Sequence, residues 1–285
     1  GGHNVVSTVF IECQAMYRKD GPEEMKTLGQ TEFVQGIVAQ NASGRYGNID
    51  VAAGIVAFAN LAMGSGVERV LEAHQAVTPN LRGVRHITAF DGSPDVPRPR
   101  PFPEGLLGDA KFREGFAVLE KLGLSFDAYI YHPQLHELAD LANAFPGVTI
   151  ILNHVGGPLG VGPYASKRDQ IFEEWKDSMT AVAASPNVVV KVGGLVMPVC
   201  GFDWHERAMP TTSGSLAQAT APYYLHCIEQ FGPNRCMFES NFPVDKIACS
   251  YTVLWNAFKR LAHDFSPSEQ AALFHDTATR FYRLS

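Results

Sequence analysis

Seven short runs of apolar and β-branched residues alternate with amphipathic segments along this chain, and no other feature constrains the fold as strongly. The runs cover residues 4–12, 51–59, 82–90, 124–131, 149–154, 187–194 and 235–243. Helical periodicity appears at about 30–42, 65–76, 110–122, 134–145, 167–184, 216–231, 250–263, 267–274 and 276–283. Strands separated each time by a helix lie parallel, with the helices covering the sheet. A doubly wound sheet would carry a glycine-rich phosphate turn after its first strand, and none follows residue 12. A closed (β/α)8 TIM barrel, about 250 residues in its usual form, suits the length of 285 better. Such a barrel needs one strand more than the seven visible, and the missing one is expected before Gly1. Composition is continuous over 1–285 with no low-complexity stretch, which predicts one domain.

Several function classes drop out on bulk properties. Apolar content of 46% and charged content of 18% describe a globular chain with a sizeable core. The formal charge is −6 and no basic tract appears, so a nucleic-acid partner is not expected. No apolar run approaches the roughly 18 residues needed to span a bilayer, so no membrane partner is expected either. Five cysteines without a CxxC spacing argue against a disulfide framework and suit a reducing compartment, the cytoplasm.

In a barrel of this kind the chemistry sits at the C-terminal ends of the strands. Those ends carry Glu12, His86, His132, His154 and the segment GluSerAsnPheProValAsp at 239–245. Histidines and carboxylates at matching ends of different strands suit proton transfer, carbonyl polarisation or a mononuclear metal. Between strand and helix, prolines at 94, 97, 99, 101 and 103 mark a long loop expected to wall the site.

TyrHisProGln at 131–134, IleLeuAsnHisValGlyGlyPro at 151–158, PheGluSerAsnPheProValAsp at 238–245 and the terminal AspThrAlaThrArgPheTyrArgLeu resemble the amidohydrolase-related family of TIM-barrel proteins. GlyValArgHis at 83–86 is similar to a signature of its lactonase branch. The resemblance spans essentially the whole chain. It implies hydrolysis of lactones of sugar acids or of aromatic ring-cleavage products; the alternatives are metal-dependent decarboxylation of an aromatic acid, or a barrel that has lost catalysis and binds a ligand.

Two departures from the family pattern shape the expected chemistry. The family's first strand ends in His-x-His, which supplies two metal ligands, and no His-x-His occurs here. In metal-dependent relatives the residue matching Asn241 is an aspartate that binds metal and acts as base, whereas an amide cannot serve as a general base. Asn241 can still donate a hydrogen bond to a carbonyl or oxyanion, and Asp245 or Glu239 stands nearby to replace the lost carboxylate. The resulting scheme has His154, His132 or a metal polarising the carbonyl, with water activated by Asp245 or Glu12. Tyr17, Arg18, Arg85, His86 and Trp204 are the candidates for holding a small-molecule substrate. The cofactor expectation is none, or one weakly held Zn or Mn ion on His132, His154 and Glu12. Helix 216–231, with Tyr223, Tyr224 and Leu225, is the expected surface for a homo-oligomer.

Overall fold

A computed structural model describes residues 2–284. Its strands are β1 (Ser7–Ile11), β2 (Asp50–Ala57), β3 (Leu81–Arg85), β4 (Ser125–Ala128), β5 (Ile150–Leu152), β6 (Val188–Val192) and β7 (Cys236–Phe238). They form a single parallel sheet in the order β1 to β7. The sheet curls into a TIM-barrel wall, and among the described residues β1 and β7 are its two unpaired edges. Around it lie α1 (Leu28–Asn41), α2 (Glu68–Val77), α3 (Ala110–Leu122), α4 (Leu135–Ala144), α5 (Arg168–Ala183), α6 (Ser213–Phe231), α7 (Tyr251–Leu261), α8 (Pro267–Ala271) and α9 (Thr277–Phe281). None of the described helices is long and apolar enough to cross a membrane.

Period-two alternation divides the strand residues between two cores. Val84, Phe126, Ile150, Leu152, Val190 and Phe238 point outward and join the large cluster beneath the helices. Val56, Ile151, Val189 and Met237 point inward, where Tyr282, Phe281 and Leu284 from the C-terminal segment fill the barrel floor. The next inward layer is polar. Lys191 Nζ donates to Asp127 Oδ1 at 2.6 Å, and the same oxygen accepts from Asn153 Nδ2 at 3.0 Å and from the Tyr282 hydroxyl at 2.8 Å. Both charges are buried, so each depends on the other to offset lost hydration.

Observed strands end earlier than their apolar runs. β4, β5 and β7 stop at Ala128, Leu152 and Phe238, where the backbone turns over the barrel mouth. The reason at β5 is local: His154 and Val155 take φ of 54° and 46°, a left-handed conformation no strand continues through. Helix limits lie within a few residues of the periodicity. α3, for example, is capped by Asp109, whose carboxylate accepts the Phe112 N–H at 2.8 Å, and by Gly123 at φ 65°. The proposed oligomer face on α6 needs correction: Tyr223 is buried against Phe172 and Trp175 of α5, Tyr224 is buried too, and only Leu225 of the three is exposed.

Candidate functional site

The β5–β7 side of the mouth is organised by His154 and Glu239. Register pairs Val192 with Phe238, so Gly193 lies beside Glu239. A Cβ on Gly193 would sit 2.5 Å from Glu239 Cγ, and one on Gly194 would sit 2.6 Å from His154 Nδ1. The glycine pair after β6 therefore leaves the space in which these two side chains meet. Glu239 Oε1 accepts the His154 main-chain N–H at 3.1 Å and contacts ring Nδ1 at 2.6 Å. Burial acts to raise the Glu239 pKa, but the His154 ring and the Lys191 ammonium outweigh it and hold the carboxyl below its usual value. In the tautomer that gives Nδ1–H to Glu239, the ring's lone pair sits on Nε2. Tyr129 packs edge-on against the ring with centroids 4.9 Å apart, and among the described residues its own hydroxyl has one hydrogen-bond partner, the Met197 sulfur at 3.7 Å.

Asn241 and Asp245 form the neighbouring unit. Asn241 Nδ2 donates to Asp245 Oδ1 at 2.6 Å, and the Asp245 N–H returns to the Asn241 carbonyl at 3.1 Å. Asp245 Oδ2 is buried without a partner. Burial pushes this carboxyl up to about 8, against the Asn241 hydrogen bond and with the charge of Glu239 adding to the rise. At neutral pH it is mostly protonated, a poor reserve of base.

His132 lies buried in the loop after β4. Its Nδ1 accepts the Leu159 N–H at 3.2 Å, and burial lowers its pKa to about 4, so the ring is neutral with its proton on Nε2. Tyr164 packs edge-on at 5.4 Å, and its hydroxyl donates to Asp91 at 2.7 Å, which ties the Pro-rich loop to this wall.

On the β1–β3 side, Glu12 is fully buried between two guanidinium groups. Arg85 Nε donates to Oε1 at 3.0 Å and Arg100 to Oε2 at 3.1 Å, while a second Arg85 nitrogen reaches the Glu12 carbonyl. Tyr17 lies beside Arg100. The other expected contacts fall elsewhere. Arg18 is exposed and paired with Glu32. His86 is turned outward by the alternation that points Arg85 inward; it accepts the Leu61 N–H at 3.3 Å and packs among Phe58, Phe102 and Phe112. Trp204 stacks on Phe202 with centroids 4.6 Å apart under Arg207.

Sequence reasoning missed Tyr129, Arg100, Asp127 and Lys191. A signal existed for the last two: a charge inside the runs LeuSerPheAspAla and ValValValLysVal is costly unless paired, so each implied a buried partner. Arg100 had no such mark, because its loop is long and irregular.

The chain matches the amidohydrolase family model over residues 14–284. It is 36% identical to the uncharacterized protein y4mH of Sinorhizobium fredii, over 99% of this chain and 82% of that protein. It is 28% identical to an L-fucono-1,5-lactonase of Burkholderia multivorans, over 81% of this chain and 72% of that one. The crystal structure of an amidohydrolase from Burkholderia multivorans with bound zinc aligns with a TM-score of 0.68 at 26% identity, over 88% of this chain and 79% of that one. The ligand set expected for such an ion here, His132, His154 and Glu12, is not brought together. Both Glu12 oxygens engage arginines, His132 holds its Nε2 proton, and among the described residues no three His, Cys, Asp or Glu side chains could hold a metal.

Proposed function

The chain belongs to the amidohydrolase family, and on that premise we propose that it is a hydrolase that opens a lactone ring by attack of water. The observation that carries this reading is the His154–Glu239 pair, 2.6 Å apart, with Nε2 of the histidine left uncommitted at the mouth of the barrel. A base needs a lone pair within reach of water and a partner that stabilises the cation it becomes, and Glu239 supplies the second. The naming of relatives as sugar-acid lactonases supports the substrate class.

In this scheme the lactone lies across the strand ends. His154 Nε2 takes a proton from water, whose oxygen bonds to the carbonyl carbon. Glu239 steadies the imidazolium through Nδ1. The Tyr129 hydroxyl, held otherwise only by a sulfur, donates to the carbonyl oxygen as it gains charge. Collapse breaks the ring C–O bond, and the imidazolium returns its proton to the leaving alkoxide. Asn241 is a second polar group at this lip, with Asp245 fixing its amide. No step passes through a metal, because the described residues do not form a site for one.

The test is acid release, followed by pH-stat, from a panel of hexono- and pentono-lactones and a carboxylated pyrone. Wild-type turnover that falls about 10²-fold or more in His154→Ala is the expected result. Absence of turnover on every lactone, together with carbon dioxide release from an aromatic acid, would replace hydrolysis with decarboxylation.

A further inference from the structure

The water attack makes no use of the Glu12, Arg85, Arg100 and Tyr17 cluster, whose hydrogen bonds are unbalanced. Arg100 gives one nitrogen to Glu12, but its Nε is buried without a partner. The Tyr17 hydroxyl is also buried; the Arg100 guanidinium lies against its oxygen as a hydrogen-bond donor outside ideal geometry, and the hydroxyl's own proton has no acceptor. The Phe58 ring, 4.7 Å from the Arg100 guanidinium carbon, holds that group in place. Each Glu12 oxygen accepts one side-chain hydrogen bond and retains a lone pair. An unused O–H donor, a guanidinium nitrogen held short of ideal hydrogen-bond geometry and two partly used acceptors therefore share one cluster. Tyr129 lies within electrostatic reach of Arg85 as well as of Asp245 and Glu239.

We propose that the cluster is a hydroxyl-recognition subsite that binds the polyol edge of a neutral, polyhydroxylated lactone. Tyr17 and Arg100 donate to substrate hydroxyl oxygens, and Glu12 accepts the hydroxyl protons. A hydroxyl uses both kinds of partner at once. A substrate carboxylate would use only the donors, and it would face the carboxylate of Glu12, which already serves as counter-ion to both arginines. Glu12 is thereby assigned to recognition, separate from water activation, and Arg100 joins the substrate-contacting residues from the Pro-rich loop. The catalytic consequence rests on the lactonase reading; the binding consequence does not.

The experiment compares kcat/KM for a hexono-1,5-lactone with that for δ-valerolactone, the same ring without hydroxyls. In Tyr17→Phe, and separately in Arg100→Met, the hydroxylated-over-plain ratio is expected to fall about tenfold, the loss of one hydrogen bond to a buried partner. Tyr17→Phe deletes a single oxygen and is the variant less exposed to misfolding, which thermal unfolding checks. An unchanged ratio in both folded variants would overturn the subsite, as would a carboxylated pyrone being the preferred substrate and the one most weakened. Should no lactone be opened at all, the lactonase reading fails and the subsite is read by calorimetry. A hexonate that binds wild type more tightly than 5-hydroxyvalerate, with the preference lost in Tyr17→Phe, supports it; equal binding of the two acids overturns it.

Discussion

The two sides of the barrel mouth handle buried charge in opposite ways. On the β1–β3 side, Glu12 is ion-paired through both oxygens, to Arg85 and to Arg100, and ionic partners outnumber the carboxylate. On the β5–β7 side, Glu239 engages one face of His154 and leaves the other open, and Asp245 keeps an unpartnered oxygen. A carboxylate paired with two guanidinium groups is fixed in place and poorly suited to moving protons; a half-engaged imidazole is suited to it. The contrast separates a rigid recognition wall from a reactive one within a single ring of strand ends. It also separates two residues, Glu12 and His154, that sequence position alone leaves equivalent.

The largest expected effect is on the recognition wall, in stability. Glu12→Ala leaves two partly buried guanidinium groups without their shared anion, and loss of one partner of such a cluster costs about 3–5 kcal/mol. Urea unfolding measures it. A loss below about 1 kcal/mol would mean that water reaches the arginines, and the claimed rigidity would go with it.

Next comes the reactive wall, in rate. Glu239→Gln keeps an oxygen to accept the His154 Nδ1–H but removes the charge that stabilises the imidazolium. We expect kcat to fall about 10²-fold or more, with stability changing far less than in Glu12→Ala. A variant with kcat within threefold of wild type would place the base elsewhere and erase the distinction between the walls.

Much of this arrangement could be read before any coordinates. Strand–helix alternation required a parallel sheet, and each apolar run marked a strand because its outward and inward residues are both buried, as at Val188–Val192. His154 and Glu239 were visible as residues at strand ends. Their partnership was not, because it depends on the register that puts Gly193 beside Glu239 and on the left-handed turn at His154, neither of which has a local sequence code. His86 shows the same limit from the other direction. One residue of register decides whether a strand-end histidine faces the mouth or the helices, and Arg85 took the inward place. Arg100 reaches Glu12 across 88 positions from a loop without periodicity, so no spacing rule could connect them.

Asp245 gives the smallest of the three expected effects and the most specific in form, since it appears only as a pH dependence. Its carboxyl is raised in the folded state to about 8, first by burial, whereas an unfolded chain titrates near the ordinary aspartate value of about 3.9. Between these limits the folded protein holds the proton and the unfolded chain has released it. The contribution of Asp245 to stability is therefore greatest below about pH 4, falls as pH rises, and levels off above about 8. Asp245→Asn carries an amide that does not titrate, and every other ionising group is common to both proteins. The stability of the variant relative to wild type should thus rise from pH 5 to pH 7 by about 2–3 kcal/mol, at roughly 1.4 kcal/mol per pH unit. Paired urea denaturation curves at pH 5, 6 and 7 give the difference directly. A difference that stays flat would mean that Asp245 is ionised in the folded protein, with a solvated Oδ2, and the reactive wall would then hold a second available base beside His154.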